Sequence, residues 1–305
     1  MKDGENAMNR KAFLLGLFTV TIWGSGFAAI RAGLFGGFTA GHLMVYRYLI
    51  ASFVFLLYAL FTKSKFRLPD KKDLLPIFIL AFIGISFYHF GVTFGQLTIS
   101  AGTTSMIVGS GPIFTTLIAV FILREKMAWY GWVGLGIGFV GIVLITIGST
   151  GTTFSFSSGL FLVFLATIST SFFFVYQKPL LLKYDPIHLT AYFTWAGTIP
   201  MLFFVPGLFD TIQNATLEAN LAAIYVGVFP AGLSYATWAI ALSIGNVSTI
   251  SSMLYLEPPI AIFVAWIWLN ELPSVLSMIG GFIAISSVAV VNFIGRKQQK
   301  IPSID

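Results

Sequence analysis

The chain has 305 residues, of which 57% are hydrophobic and 9% charged, against roughly 25% charged residues in a soluble domain. This composition excludes a single water-soluble core, and successive apolar runs of about 20 residues, each enough to cross about 30 Å of hydrocarbon as a helix, make lipid the solvent. The net charge of +6 sits beside those runs, where membrane topology explains it without nucleic acid, and the lack of Cys excludes a disulfide, a thiolate metal site and a cysteine nucleophile.

Turn residues and charges divide the apolar runs into ten predicted helices, at 13–31, 40–61, 74–94, 99–123, 129–148, 158–177, 187–206, 221–242, 246–269 and 274–294. The expected fold is an all-α polytopic membrane protein. Arg10 and Lys11 would also suit a signal peptide, but no small-residue cleavage pattern follows before Arg31, so the first run is read as a span. With the N-terminus cytoplasmic, 15 of the 17 Lys and Arg residues fall on the inner side, while the outer loops carry acids such as Asp210 and Glu218. That asymmetry predicts a multi-pass protein of the cell (cytoplasmic) membrane with both termini inside, and it supports the count of ten.

Sliding the chain by 146 residues pairs Thr103 with Thr249, Ser105 with Ser251, Pro112 with Pro258, Ala119 with Ala265, Leu123 with Leu269, Glu125 with Glu271 and Gly134 with Gly280. The chain then divides into a cytoplasmic tail (1–12), a first repeat of spans one to five (13–148), an outer connecting loop (149–157), a second repeat of spans six to ten (158–294) and a second cytoplasmic tail (295–305). Five is odd, so the two five-helix repeats are expected to be inverted relative to each other. Inverted halves are an architecture that alternating access uses, with substrate at the midplane between them. Duplication without mechanism is the plainer alternative.

Several of these residues carry a family resemblance: Trp23-Gly24-Ser25 in the first span, Arg47 in the second, Ser100-Ala101-Gly102 opening the fourth, Pro112 with Glu125, and Leu256-Glu257-Pro258 with Glu271. In order and spacing the chain resembles the ten-span EamA-type carriers of the drug/metabolite transporter superfamily over nearly its whole length. The resemblance implies a carrier of small metabolites, often an exporter of amino acids or related compounds, and names no substrate. The halves differ where Gly111 stands opposite Glu257, so any chemistry of Glu257 is one-sided.

Glu257 lies about ten residues into its span, roughly 15 Å deep, where an ionised carboxylate costs at least about 3 kcal/mol without water or a cation. Its functional role would be proton coupling or binding a substrate ammonium, aided by carbonyls that Pro258 and Pro259 set free; its structural role would be an anchor for a broken helix. Three roles are open to Arg47: snorkelling outward, pairing with Glu257, or receiving a substrate carboxylate. Glu125 and Glu271 read as mirrored structural corners, each capping the start of the following helix.

Trp23, Trp195 and Trp238 fall deep enough to wall a cavity or to pack between helices, whereas Trp129, Trp132, Trp266 and Trp268 read as interfacial belt. Tyr88, His89, Gln96, Tyr176 and Tyr235 add polar handles, and such a lining suits amphiphilic or aromatic metabolites. Gly134 and Gly138 share a helix face that permits close packing, within the chain or in a homodimer through the fifth and tenth spans.

No Gly-x-x-x-x-Gly-Lys-Ser/Thr phosphate loop occurs, so ATP is not the expected energy source. Three scattered His and few buried acids argue against an enzyme and against a metal or other cofactor. The expected function is secondary active transport of a small metabolite, in the export direction, by alternating access, with proton coupling left open. A passive channel is the alternative, and the expected partners are the substrate and the lipid bilayer.

Overall fold

The computed structural model describes residues 10–62, 66, 68–122, 129–150, 157–244 and 253–295, and they are helical with no strand among them. The helices are α1 (Arg10–Phe35), α2 (Ala40–Phe61), α3 (Lys71–Ala81), α4 (Tyr88–Gly95), α5 (Ala101–Gly109), α6 (Gly111–Phe121), α7 (Trp129–Thr150) and α8 (Ser158–Tyr176). They continue as the short α9 (Lys178–Leu181), α10 (Pro186–Met201), α11 (Leu208–Asn214), α12 (Leu217–Val228), α13 (Ser234–Ile244), α14 (Glu257–Leu269) and α15 (Val275–Gly295). Among the described residues, six helical segments are long and apolar enough to cross a bilayer, and a seventh if Pro186–Phe204 and Leu208–Asn214, bent by 82°, count as one. Shorter apolar helices cover Met253–Leu269 and Val275–Ser287. The protein is a multi-pass membrane protein.

Polar caps fix several helix starts: α2 and α8 begin at 40 and 158 as expected, and α10 and α12 begin one and four residues earlier than their apolar runs. Thr39 caps α2, Ser157 caps α8, Asp185 caps α10 and Thr216 caps α12, each by accepting from a backbone N–H of the first turn. Helix starts recur 146 residues apart, at Ala40 and Pro186, Lys71 and Leu217, Tyr88 and Ser234, Gly111 and Glu257, and Trp129 and Val275.

The predicted fourth span is broken. Its backbone turns at Ser110, and Pro112, which has no N–H to donate, opens α6. A π-helical turn at Phe82–Phe87 joins α3 to α4, and another at Phe229–Leu233 joins α12 to α13. Such turns leave carbonyls without a ladder partner. Ser169 on α8 donates to the Ile83 carbonyl, and the Trp23 indole on α1 donates to the Pro230 carbonyl at 3.1 Å. Ser169 stands 146 residues after Trp23, so matching positions perform matching tasks on opposite halves.

Two pairs of corresponding helices pack antiparallel. On α2, Gly41 meets the Phe204 ring, while further along Ser52 bonds Thr198 at 2.9 Å and its carbonyl receives the Trp195 indole at 3.0 Å. On α7, Gly138 faces Ser287, Gly141 faces Ala284 and Gly280, and Gly148 faces Ser277. Gly138, Gly141, Gly148 and Gly280 therefore serve packing within the chain.

A Cβ at Gly141 would come within 2.6 Å of the Ala284 nitrogen and the Gly280 oxygen, both backbone atoms, whereas a Cβ at Gly136 would meet nothing within 4 Å. Gly141→Ala is expected to destabilise the fold by about 1–3 kcal/mol, and Gly136→Ala to stay within about 0.5 kcal/mol of the parent. Thermal unfolding of both variants in the same detergent checks the difference.

Candidate functional site

The Trp23-Gly24-Ser25 turn of α1 packs on the start of α14. Gly24 permits this, because a Cβ there would lie 2.9 Å from the Glu257 carbonyl oxygen and as close to Ile260. Trp23 then rests against Tyr235 and Trp238, each with ring centroids 5.4 Å away. Ser25 bonds the Tyr225 hydroxyl at 2.6 Å. Glu257 is partly buried in the first turn of α14, a position where the helix dipole favours a carboxylate.

Arg47 on α2 is 1% exposed and does not snorkel. Its Nη2 donates to His89 Nδ1 at 2.8 Å and to Thr93 Oγ1 at 3.1 Å, and its guanidinium lies 5.5 Å from the Tyr48 ring centroid. His89 in turn packs against Tyr48 at 4.8 Å and Tyr88 at 4.6 Å. Snorkelling fails because Arg47 lies on the face of α2 that carries Leu43, Met44 and Tyr48, all buried in the core, so water is not within reach of the stem. Arg47 and Glu257 form no ion pair here, yet Tyr88 and Tyr235 each lie within electrostatic reach of both.

The structure thus brings together Trp23, Arg47, Tyr88, His89, Tyr235, Trp238 and Glu257, and it leaves out three other candidates. Tyr176 is 41% exposed and stacks on Phe172, because it ends α8 beyond the packed region. Trp195 belongs to a separate aromatic cluster with Phe66 and Tyr192. Gln96 is fully buried at the far end of α4, and its backbone carbonyl accepts from Arg31.

That bond is part of a corner centred on Glu271. Asn270, at φ 53°, ends α14 in the left-handed region that Asn tolerates, and Glu271 follows it. Its carboxylate pairs with Arg31 Nε at 2.9 Å and accepts from the Ala101 N–H, at the start of α5, at 3.3 Å. Glu271 therefore caps a helix of the other half, and the helix after it is capped by Ser274, which accepts from Ser277 N–H at 3.1 Å. Glu125 lies outside the described residues. Pro112 and Pro258 each fall in the first turn after a helix break.

A second corner escaped the sequence reading. Lys183 donates to Asp70 at 2.5 Å and to Asp73, while the Tyr184 hydroxyl donates to Asp73 at 2.6 Å and accepts from the Asp70 N–H at 2.9 Å. Asp70 occupies the N-cap position of α3, where Thr216 caps α12, but sends its carboxylate to Lys183. The hydrogen bonds to Asp70 and then Asp73 raise the Lys183 ammonium above its ordinary value. Any stability from that shift is complete below the free lysine value of about 10.4 and is lost only as the pH rises through the raised one. Physiological pH does not open this corner.

A groove of about 450 Å³, lined by Leu217, Glu218, Leu221 and Trp268 and closed by Tyr225, lies on the flank between α12 and α14, away from the central residues. Trp268 donates to Glu218 there at 2.5 Å.

An apolar helical bundle with a desolvated polar centre and ion clusters at its ends belongs to the class of membrane transporters. The EamA-like transporter family profile matches residues 10–147 and again 157–293, and the chain belongs to that family. It is 37% identical over 282 residues to an uncharacterized transporter of Bacillus subtilis, YdfC, covering 92% of this chain and 91% of that one. It is 30% identical to a probable terminal-alkyne amino-acid exporter of Streptantibioticus cattleyicolor, covering 93% and 94%. A crystal structure 18% identical superposes with a TM-score of 0.64 over 94% of this chain and 98% of that one, a likeness of fold.

Removing one partner of the Arg31–Glu271 pair strands a charge that is mostly buried. Glu271→Gln is expected to lower stability by about 3 kcal/mol, and Arg31→Met with Glu271→Met together to recover more than half of the loss. Denaturant unfolding of the two variants measures the recovery.

Proposed function

We propose that this chain is a secondary active transporter that moves a small amphiphilic metabolite, an amino acid or a related compound, by alternating access between two inverted five-helix repeats. The direction proposed is export from the cell, as in the amino-acid exporter to which the chain is 30% identical. The transport site is the central set of Trp23, Arg47, Tyr88, His89, Tyr235, Trp238 and Glu257, with both termini cytoplasmic.

Two ion clusters at opposite ends of one helical segment carry this reading. Asp73 lies at the start of Lys71–Gly95 and Gln96 just past its end, about 35 Å apart along a helix. At one end Lys183 and Tyr184, within the second profile match, hold Asp70 and Asp73 of the first; at the other, Glu271 of the second holds Arg31 and Ala101 of the first. Both clusters are formed here, so the two halves are tied at either end of the bundle, and the proposed transport cycle starts from a state in which neither end has parted. Opening to one side breaks one corner and keeps the other.

The inversion is supported by the antiparallel packing of α2 on α10 and of α7 on α15, whose helices correspond at the 146-residue offset, and by the reciprocal donors Trp23 and Ser169. The proposed count of ten spans takes each broken helix as one crossing. Glu257, opening a half-helix beside the aromatic wall, is the group proposed to meet a substrate ammonium or a coupling proton.

The natural chain has no Cys, so paired cysteines report without background. Purified protein in liposomes is expected to show saturable counterflow of an amino acid from a panel, where a pore would show none. Arg31→Cys with Glu271→Cys is expected to abolish counterflow once oxidised and to regain it on reduction. Unimpaired counterflow by the cross-linked protein would count against alternating access, and full pH-driven transport by Glu257→Gln would remove Glu257 as the proton site.

A further inference from the structure

A buried guanidinium needs an anion, and the two hydrogen bonds that Arg47 makes go to neutral groups, His89 and Thr93. Its Nε is buried and has no partner among the described residues; the same holds for the Tyr48 hydroxyl and for His89 Nε2. The chemistry of these three atoms is consistent. Arg47 Nη2 donates to His89 Nδ1, which fixes that nitrogen as the acceptor and leaves the ring proton on Nε2. Nε of an arginine only donates, and a tyrosine hydroxyl donates readily. Three unspent donors therefore occur in one cluster of contacts, in which the Arg47 guanidinium covers the Tyr48 ring and that ring packs on His89.

We infer that Arg47, Tyr48 and His89 form an anion-receiving pole of the transport site, and that the transported compound carries a carboxylate which docks there. This rests on the transport reading above and adds to it the substrate's anionic end. A carboxylate fits all three donors because its two oxygens offer about four acceptor positions, and an Arg–carboxylate contact is charge-assisted. Tyr88 and Tyr235 each lie within electrostatic reach of both Arg47 and Glu257, so a compound bearing both signs would meet a cation and a carboxylate in one site. Arg47 and Tyr48 are buried here, and Tyr88 packs edge-on against His89.

Binding of 3-phenylpropanoate, phenethylamine and chloride to the purified protein, followed by thermal shift, tests this pole. The acid is expected to stabilise the wild type, with chloride at equal concentration giving no comparable effect. Arg47→Gln is expected to weaken the acid by about tenfold or more, the effect of one lost charge-assisted hydrogen bond, and Tyr48→Phe by about threefold to tenfold. Tyr48→Phe removes only a hydroxyl that has no partner, so it keeps the test valid if Arg47→Gln fails to fold. Phenethylamine affinity is expected to be unchanged in Tyr48→Phe. Acid binding equal to wild type in the folded variants, or chloride matching the acid, would overturn the proposal. Arg47-dependent acid binding without counterflow of any compound would leave the pole standing and sink the transport reading. Counterflow of amino acids unaffected by Tyr48→Phe would do the reverse.

Discussion

Hydrocarbon offers a backbone nothing to bond to, so a helix that crosses it can be interrupted only where another part of the protein takes over the freed groups. That constraint organises this fold. The π-helical turns at Phe82–Phe87 and Phe229–Leu233 are each served by a donor from the other half, Ser169 for Ile83 and Trp23 for Pro230. At the break before α6, Ser110 bonds the Ile107 carbonyl at 2.6 Å and Ser171 reaches the Gly111 carbonyl at 3.1 Å. The halves are therefore tied where their helices are irregular, and the irregular places are where the polar chemistry gathers.

The scaffold repeats more faithfully than the chemistry does. Corresponding positions 146 residues apart hold Arg47 and Phe193, Tyr48 and Thr194, His89 and Tyr235, and Gly111 and Glu257. Each pair keeps a helix position and changes a side chain, so the cation falls on one half and the carboxylate on the other. In the proposed site, a substrate with unlike ends would meet unlike walls although the walls share one backbone plan.

Much of the fold was legible in the sequence, because apolar length and Pro, Gly and polar punctuation are local signals. The break beside Pro258 and the gathering of Glu257 with Trp23, Tyr235 and Trp238 follow from depth and residue type, whereas the span expected over 99–123 gives no sign of its break at Ser110. What escaped is set by partners far away in the chain. Arg31 was read as a charge at a span end, but its partner Glu271 lies 240 residues on, and no spacing links Asp70 to Lys183. Depth alone leaves snorkelling open to Arg47 beside pairing with Glu257 and receiving a carboxylate, and only the packing shows that its face of α2 is covered. Tyr48, beside Arg47, had only that adjacency as a signal. The π-helical turns had none, since a single inserted residue leaves the apolar pattern almost unchanged.

Asp70 stands at a helix start yet gives its carboxylate to a lysine on the opposite half. Were Lys183 to withdraw, a side-chain rotation would turn the same oxygens to the first turn of α3, an N-cap contact worth about 1 kcal/mol. The separated form thus gains a local bond as it loses a distant one, and partner exchange replaces outright rupture. If the corner parts during the proposed cycle, the two conformations would differ by less free energy than the ion contacts alone would set. A corner built this way is a hinge pin that releases without being broken.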